Sequence, residues 1–289
     1  MDFWREFPDD DRASIRTMFR ALFGGLGLRK AVAIQSVFAH HRTTSAGDRA
    51  ELRTERYVHV AFSGEAHHVD FADHDLNLVM AADDPVANVV SFIGFGAYAH
   101  EYGLWPRFAE RRENAADRFC VAVISNLGGG ERNRFVPRLH GRRAIDSCGH
   151  WINTTGTLAP RDVLTFGDRY LPFLSRYRFM VCFENTRQSL YLTEKLANAY
   201  AAGCVPIYWG APEAPRWLNP AAFLRLEDGS DQAIGRLIDR VLQLEGDAAA
   251  YAALHREPLL AGDVPEPLRL DVVRAKIEST LRRSRPDAF

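Results

Sequence analysis

The spacing of apolar positions divides the chain into a first half of short alternating segments and a more regular second half. RASIRTMFRALFGG (12–25) carries apolar residues at helical spacing and closes on a glycine pair, an ordinary helix stop. Strands are expected over KAVAIQSVF (30–38), YVHVAFSG (57–64), LNLVMA (76–81) and NVVSFIGF (88–95). Residues 97–117 are polar and lose periodicity, which places a domain boundary near 115. Beyond it, RFCVAVIS (118–125), RAIDS (143–147), RFMVCF (178–183), CVPIYWG (204–210) and AAFLRL (221–226) read as strands. Helical patterns cover ERNRFVPRL, 161–177, 193–202, 230–257 and 271–284. Strands that alternate with helices in this way predict parallel sheets covered by helices, an α/β fold. Two such units in tandem predict a cleft facing the carboxyl ends of their strands. The expected division is 1–115, 116–270, and a C-terminal helix in 271–289 that packs back on the first domain.

Composition narrows the function classes. A chain of 289 residues, 47% hydrophobic and 25% charged, has the profile of an ordinary globular protein. A net charge of −1 gives no argument for nucleic acid or an anionic membrane as partner, so any basic site must be local. No run approaches the roughly 18 apolar residues of a membrane span, and the acidic MDFWREFPDDDR start lacks a signal-peptide pattern. Cys120, Cys148, Cys182 and Cys204 show no CxxC pairing and are expected to be reduced thiols of a cytoplasmic protein. The acidic run in PDDD (8–11) is expected to cap the first helix rather than bind metal. His67, His68 and His74 have no metal spacing on a recognisable element.

Chemistry collects at the predicted carboxyl ends of strands. The strand RFMVCF runs into Glu184-Asn185, and the next helix opens on Thr193-Glu194-Lys195. A lysine in the first turn of a helix faces an end that already carries about half a positive charge. Either it extends into solvent, or an anion sits there between the ammonium and the backbone N–H groups. Glu194 either compensates that helix end or accepts sugar hydroxyls. Ser125-Asn126 close another strand, a glycine run follows, and Arg132 lies early in the next helix. This is a flexible loop with a surface arginine, or a backbone brought close to a ligand with a planar fork for phosphate oxygens. It is neither a Walker loop nor a GxGxxG fingerprint, which disfavours a Rossmann oxidoreductase. Glu65, just past Gly64, is either a solvated loop charge or a proton acceptor.

Residues 177–224 resemble the signature segment of the α1,3/4-fucosyltransferases, glycosyltransferase family 10. The matching pieces are Phe183-Glu184-Asn185, Tyr191-Leu192-Thr193-Glu194-Lys195, Val205-Pro206-Ile207, Gly210 and Asn219-Pro220, in order. Leu192 stands where the pattern has a β-branched residue, and the loop TRQSL before Tyr191 also departs from it. The resemblance implies a GT-B architecture of two Rossmann-like domains. It implies GDP-fucose as donor, an acceptor oligosaccharide of Lewis type, and inversion at the anomeric carbon. On the matching positions, Glu65 is the implied base and Arg132 and Lys195 the implied diphosphate ligands. Ser125, Asn126, Asn185 and Tyr191 are implied at the donor, with Glu194 stabilising positive charge on the fucose. No cofactor is expected, GDP-fucose being a substrate and a divalent cation at most stimulatory. The other readings are transfer from a different GDP-sugar and a non-catalytic nucleotide-sugar or glycan-binding protein of the same fold. The family's heptad repeats, basic amphipathic tail and transmembrane stem have no counterpart in the sequence.

Overall fold

A computed structural model describes residues 18–36, 56–64, 74–110, 116–160 and 169–289. The described chain divides into two compact units. The first holds residues up to Glu101, the short piece Ser189–Tyr191, and Pro265–Phe289; the second holds Tyr102–Gln188 and Leu192–Val264.

In the first unit, β1 (Ala31–Ser36), β2 (Tyr57–Ser63), β3 (Leu76–Val79) and β4 (Val89–Ser91) form one parallel sheet in that order. The strand expected over 88–95 stops at Ser91, and helix α1 (Gly94–Glu101) begins almost at once. The reason is packing: a Cβ on Gly96 would run into the backbone of Leu268, so this stretch must turn closely past another segment, which an extended strand would not do. A C-terminal helix, α5 (Leu270–Ser284), lays Leu270, Val273, Ile277 and Leu281 into the same core as Val58, Val60, Leu76 and Leu78. Their 3- and 4-residue spacing gives one apolar stripe, and the sheet supplies the surface that buries it.

The second unit is a five-stranded parallel sheet in the order β6-β5-β7-β8-β9. Its strands are β5 (Arg118–Ala122), β6 (Asp146–Ser147), β7 (Tyr177–Phe183), β8 (Val205–Trp209) and β9 (Leu224–Arg225). The central strands YRFMVCF and VPIYW are nearly all apolar because helices cover both faces. One face packs on α2 (Gly130–Arg142) and α4 (Asp231–Gly246), through Phe135, Val136, Leu139, Ile234 and Val241. Helix α3 (Glu194–Ala201) packs on β7 and β8. Pro206 is tolerated inside the sheet because β9 pairs only with Ile207 and Tyr208.

The helix expected over 230–257 is two helices. Asp247 separates α4 from Ala248–His255 and caps the second by accepting from the Ala250 N–H at 2.9 Å. The pattern over 161–177 yields a short helix at Tyr170–Leu174, and Tyr177 already opens β7. All four cysteines are buried and none is in a disulfide. Among the described residues, no helix is long and apolar enough to cross a membrane.

Candidate functional site

Strand order locates the site. The chain leaves β5 for β6 on one side, then crosses back to β7 on the other side of β5. The connections after β5 and β7 therefore diverge, and the carboxyl ends of these neighbouring strands flank the crevice in which open α/β sheets bind ligands. Ser125 and Asn126 follow β5 there, and Glu184 and Asn185 follow β7.

Glu184 and Asn185 act as a fork. The extended backbone continues one residue past β7, because the Glu184 N–H donates to the Trp209 carbonyl at 2.7 Å. Consecutive side chains of extended backbone point to opposite faces. Asn185 thus turns toward α2, where its Oδ1 accepts from Arg132 Nη1 at 2.8 Å. Glu184 turns toward α3, where Lys195 Nζ donates to its Oε2 at 2.8 Å. One dipeptide holds a cation on each side of the sheet.

The Lys195 side is built around a buried carboxylate. Glu184 is 1% exposed and also accepts from the Thr193 backbone N–H and hydroxyl, both at 2.8 Å. The Thr193 hydroxyl accepts in turn from Lys195 Nζ at 2.9 Å. Thr193 is the N-cap of α3 by position, yet its hydroxyl is engaged by Glu184 instead of capping the helix. Burial pushes the Glu184 pKa up, and the Lys195 ammonium works against that rise. Lys195 keeps 23% of its side chain exposed, with Glu194 Oε1 at 3.8 Å. Of the two sequence alternatives for this lysine, neither describes it fully: it is anchored by a protein carboxylate while part of it remains open to the edge.

Gly210 makes room for this carboxylate. A Cβ there would strike the Tyr208 hydroxyl and come within 2.6 Å of Glu184 Cγ. Gly210→Ala should therefore lower the urea midpoint, at a cost of about 1–3 kcal/mol for overpacking, with the slope of the transition unchanged. An unshifted midpoint would show that the close approach is not constraining.

The Arg132 side is tighter than the sequence suggests. Arg132 is only 2% exposed. Its Nη2 donates to the Asn126 carbonyl at 2.6 Å and to the Gly128 carbonyl, folding the glycine loop around the guanidinium. Gly129 takes φ 107°, in the left-handed region, and a Cβ there would sit 3.2 Å from the Asn185 carbonyl. Asn126 adds an Asx turn, its Oδ1 accepting from the Gly128 N–H at 2.8 Å. Asn133 Nδ2 donates to the Leu127 carbonyl at 2.7 Å. The glycine run is thus a braced loop, and in this structure the arginine fork holds that loop.

Of the residues expected from sequence, Arg132, Asn185 and Asn126 come together directly, and Lys195 and Glu194 stand on the opposite arm of the fork. Ser125 lies exposed beside Asn126. Tyr191 is buried at 1% exposure and groups with the first unit, through the piece Ser189–Tyr191. Glu65 lies outside the described residues, as do His67, His68 and the PDDD run. The residue that sequence reasoning left without a role is Glu184. Its signal was present, a carboxylate directly after an unbroken apolar strand, where an ion must find a partner. Among the described residues, no group of three or more His, Cys, Asp or Glu side chains is placed to hold a metal ion.

Residues 114–256 match the family model "Glycosyltransferase family 10 (fucosyltransferase) C-term". The Alpha-(1,3)-fucosyltransferase FucT of Helicobacter pylori is 33% identical over 142 residues, which is 49% of this chain and 28% of that protein. GDP-fucose protein O-fucosyltransferase 3 of Gallus gallus is 28% identical over 151 residues, 50% of this chain and 31% of its own. The chain thus spans less than a third of the length of these relatives. A crystal structure of an alpha1,3-fucosyltransferase superposes with a TM-score of 0.72 at 19% identity, over 96% of this chain and 88% of that one. The α/β fold of GT-B type expected from sequence is the fold of that neighbour.

Proposed function

Because the chain belongs to glycosyltransferase family 10 (fucosyltransferase) through residues 114–256, we propose that it transfers fucose from GDP-fucose to an acceptor hydroxyl with inversion at the anomeric carbon. The observation that carries this reading is the Glu184-Asn185 fork at the switch point, which holds Lys195 and Arg132 at one sheet edge. Both cations lie within the matched segment. A diphosphate leaving group gains negative charge as the glycosidic bond breaks, so a cation beside it favours the transition state over the ground state. Lys195, with its partly open ammonium, serves the diphosphate directly. Arg132 orders the loop of Asn126–Gly129, whose backbone approaches the ligand. Glu194, in the first turn of α3, faces the positive charge that develops on the sugar ring. Glu65 takes the proton of the attacking hydroxyl. Ser125, Asn126, Asn185 and Tyr191 complete the donor contacts in this reading, and a divalent cation has at most a stimulatory role.

The acceptor class rests on two kinds of relative. One is an α1,3-fucosyltransferase, which favours an oligosaccharide acceptor of Lewis type, and the other is named as a protein O-fucosyltransferase. Mass spectrometry of reactions with GDP-fucose, a mixed oligosaccharide library and hydroxyl-bearing peptides separates them. The expected product is a glycan heavier by one deoxyhexose. A modified peptide would redirect the acceptor assignment. Transfer only from another GDP-sugar would refute the donor, and GDP binding without transfer from any sugar would make the protein a binder.

A further inference from the structure

The sequence singled out one stretch that the proposed chemistry does not use, the loop TRQSL (186–190), which departs from the family pattern. Its Arg187 is exposed, and its guanidinium carbon lies 5.4 Å from the ring centroid of Trp209. Among the described residues it has no carboxylate partner. Trp209 is the last residue of β8, pairs in register with Phe183, and shares the core face of α2 and α4. That is the face on which Asn185 meets Arg132. The ring is fixed from below: it is 4% exposed, and its Nε1 finds no acceptor among the described residues, so packing alone sets its position. A guanidinium on an indole face keeps its N–H donors in their own plane, pointing away from the ring, where an anion can take them.

Charge at the edge says which anion. Arg132 and Lys195 are the two cations of the fork, and Glu184 and Glu194 are two carboxylates on its Lys195 arm. These four side chains are formally neutral together. Arg132 is closed over by its own loop, and Lys195 shares its charge with Glu184. A diphosphate carries at least two negative charges, which such a neutral set does not balance. Arg187 is exposed, two residues past Asn185, and unpaired with any described carboxylate.

We propose that Arg187, held on the face of Trp209, is a third cation of this site and binds the diphosphate of a nucleoside diphosphate donor. The inference rests on the donor reading above and deepens it, since the residue belongs to the loop that sets this chain apart from the family pattern. Arg187 grips the phosphates at the rim and strengthens its hold as the leaving group gains charge, while Trp209 restricts the guanidinium so that less freedom is lost on binding.

Calorimetric titration of the full chain with GDP and with guanosine tests this. Arg187→Ala should weaken GDP about tenfold and leave guanosine unchanged, the loss expected for one charge-assisted contact at a partly exposed position. Arg187→Lys, which keeps the charge but not the planar fork, should recover only part of that loss. Unchanged GDP affinity in Arg187→Ala would overturn the proposal while leaving the donor reading intact. Equal losses for GDP and guanosine would overturn it as well, placing Arg187 at the base. Failure of the unaltered protein to bind GDP would remove the donor reading and this inference together. Arg187 is exposed, so the variants should unfold at the same midpoint as the parent, and a lowered midpoint would assign the residue to the fold instead.

Discussion

Exchanging Glu65 for glutamine should reduce transfer about 10²–10⁴-fold, the usual contribution of a general base, and leave the affinity for GDP unchanged. Glutamine matches glutamate in size and accepts hydrogen bonds, but it takes no proton at neutral pH. In sequence the position comes directly after Gly64, at the carboxyl end of β2, whose residues Val58, Val60 and Phe62 are buried in the first unit's core. The pH profile gives a second readout. In the parent, kcat/KM should fall on the acid side as the carboxylate gains its proton, and in the glutamine variant that limb should vanish. Steady-state rates across pH, with GDP titrations at each point, separate the possibilities. Full turnover in the variant would refute the base assignment. A parallel loss of GDP binding would move Glu65 from proton transfer to donor binding.

What could be read from sequence was governed by the length of the apolar runs. YRFMVCF and VPIYW are long, unbroken and closed by polar residues, so β7 and β8 were placed within a residue or two. The NVVSFIGF run was cut short because the chain turns into α1 at Gly94, and Gly96 just beyond the run passes close to the Leu268 backbone, a contact with a segment far along the chain that no local pattern reveals. The helix break at Asp247 followed a different rule: aspartate is a strong cap and a modest interruption, and only the geometry tells which role it takes. At the site, residue types were legible and pairings were not. Glu184 and Lys195 are 11 residues apart, with a loop between them in which Leu190 adopts φ 66°, so their meeting depends on how that loop closes. Arg132 was expected to offer its fork outward, whereas the carbonyls of Asn126 and Gly128 take it inward. A glycine-rich loop leaves carbonyl groups that need donors, and the nearest guanidinium satisfies them. Tyr191 shows the same limit, since a position inside a contiguous motif groups with the other unit.

Replacing Lys195 by alanine should have the largest effect on stability at neutral pH. The change leaves the Glu184 carboxylate, 1% exposed, without its ammonium, and breaking a buried pair in this way costs about 3–5 kcal/mol. The molecule can relieve part of that by taking up a proton, and this fixes the sign of the pH dependence. Burial already raises the Glu184 pKa, with Lys195 opposing; without Lys195 it rises further. A carboxyl whose folded pKa exceeds its unfolded value contributes fully below the unfolded value and loses that contribution as pH rises through the folded one. The gap in stability between parent and variant should therefore be small in mild acid and wide near pH 8, which denaturant titrations at several pH values would measure. A gap independent of pH would mean that the pair is not coupled. Adding Glu184→Gln to the alanine variant should restore much of the lost stability, because the uncompensated charge is gone and the amide oxygen still accepts from the Thr193 N–H. GDP affinity should not recover with it. The double variant should bind GDP at least tenfold more weakly than the parent and guanosine equally well, as the proposed contact of the Lys195 ammonium with the phosphates requires. If GDP binding returned together with stability, Lys195 would be a structural partner of Glu184 and not a phosphate ligand.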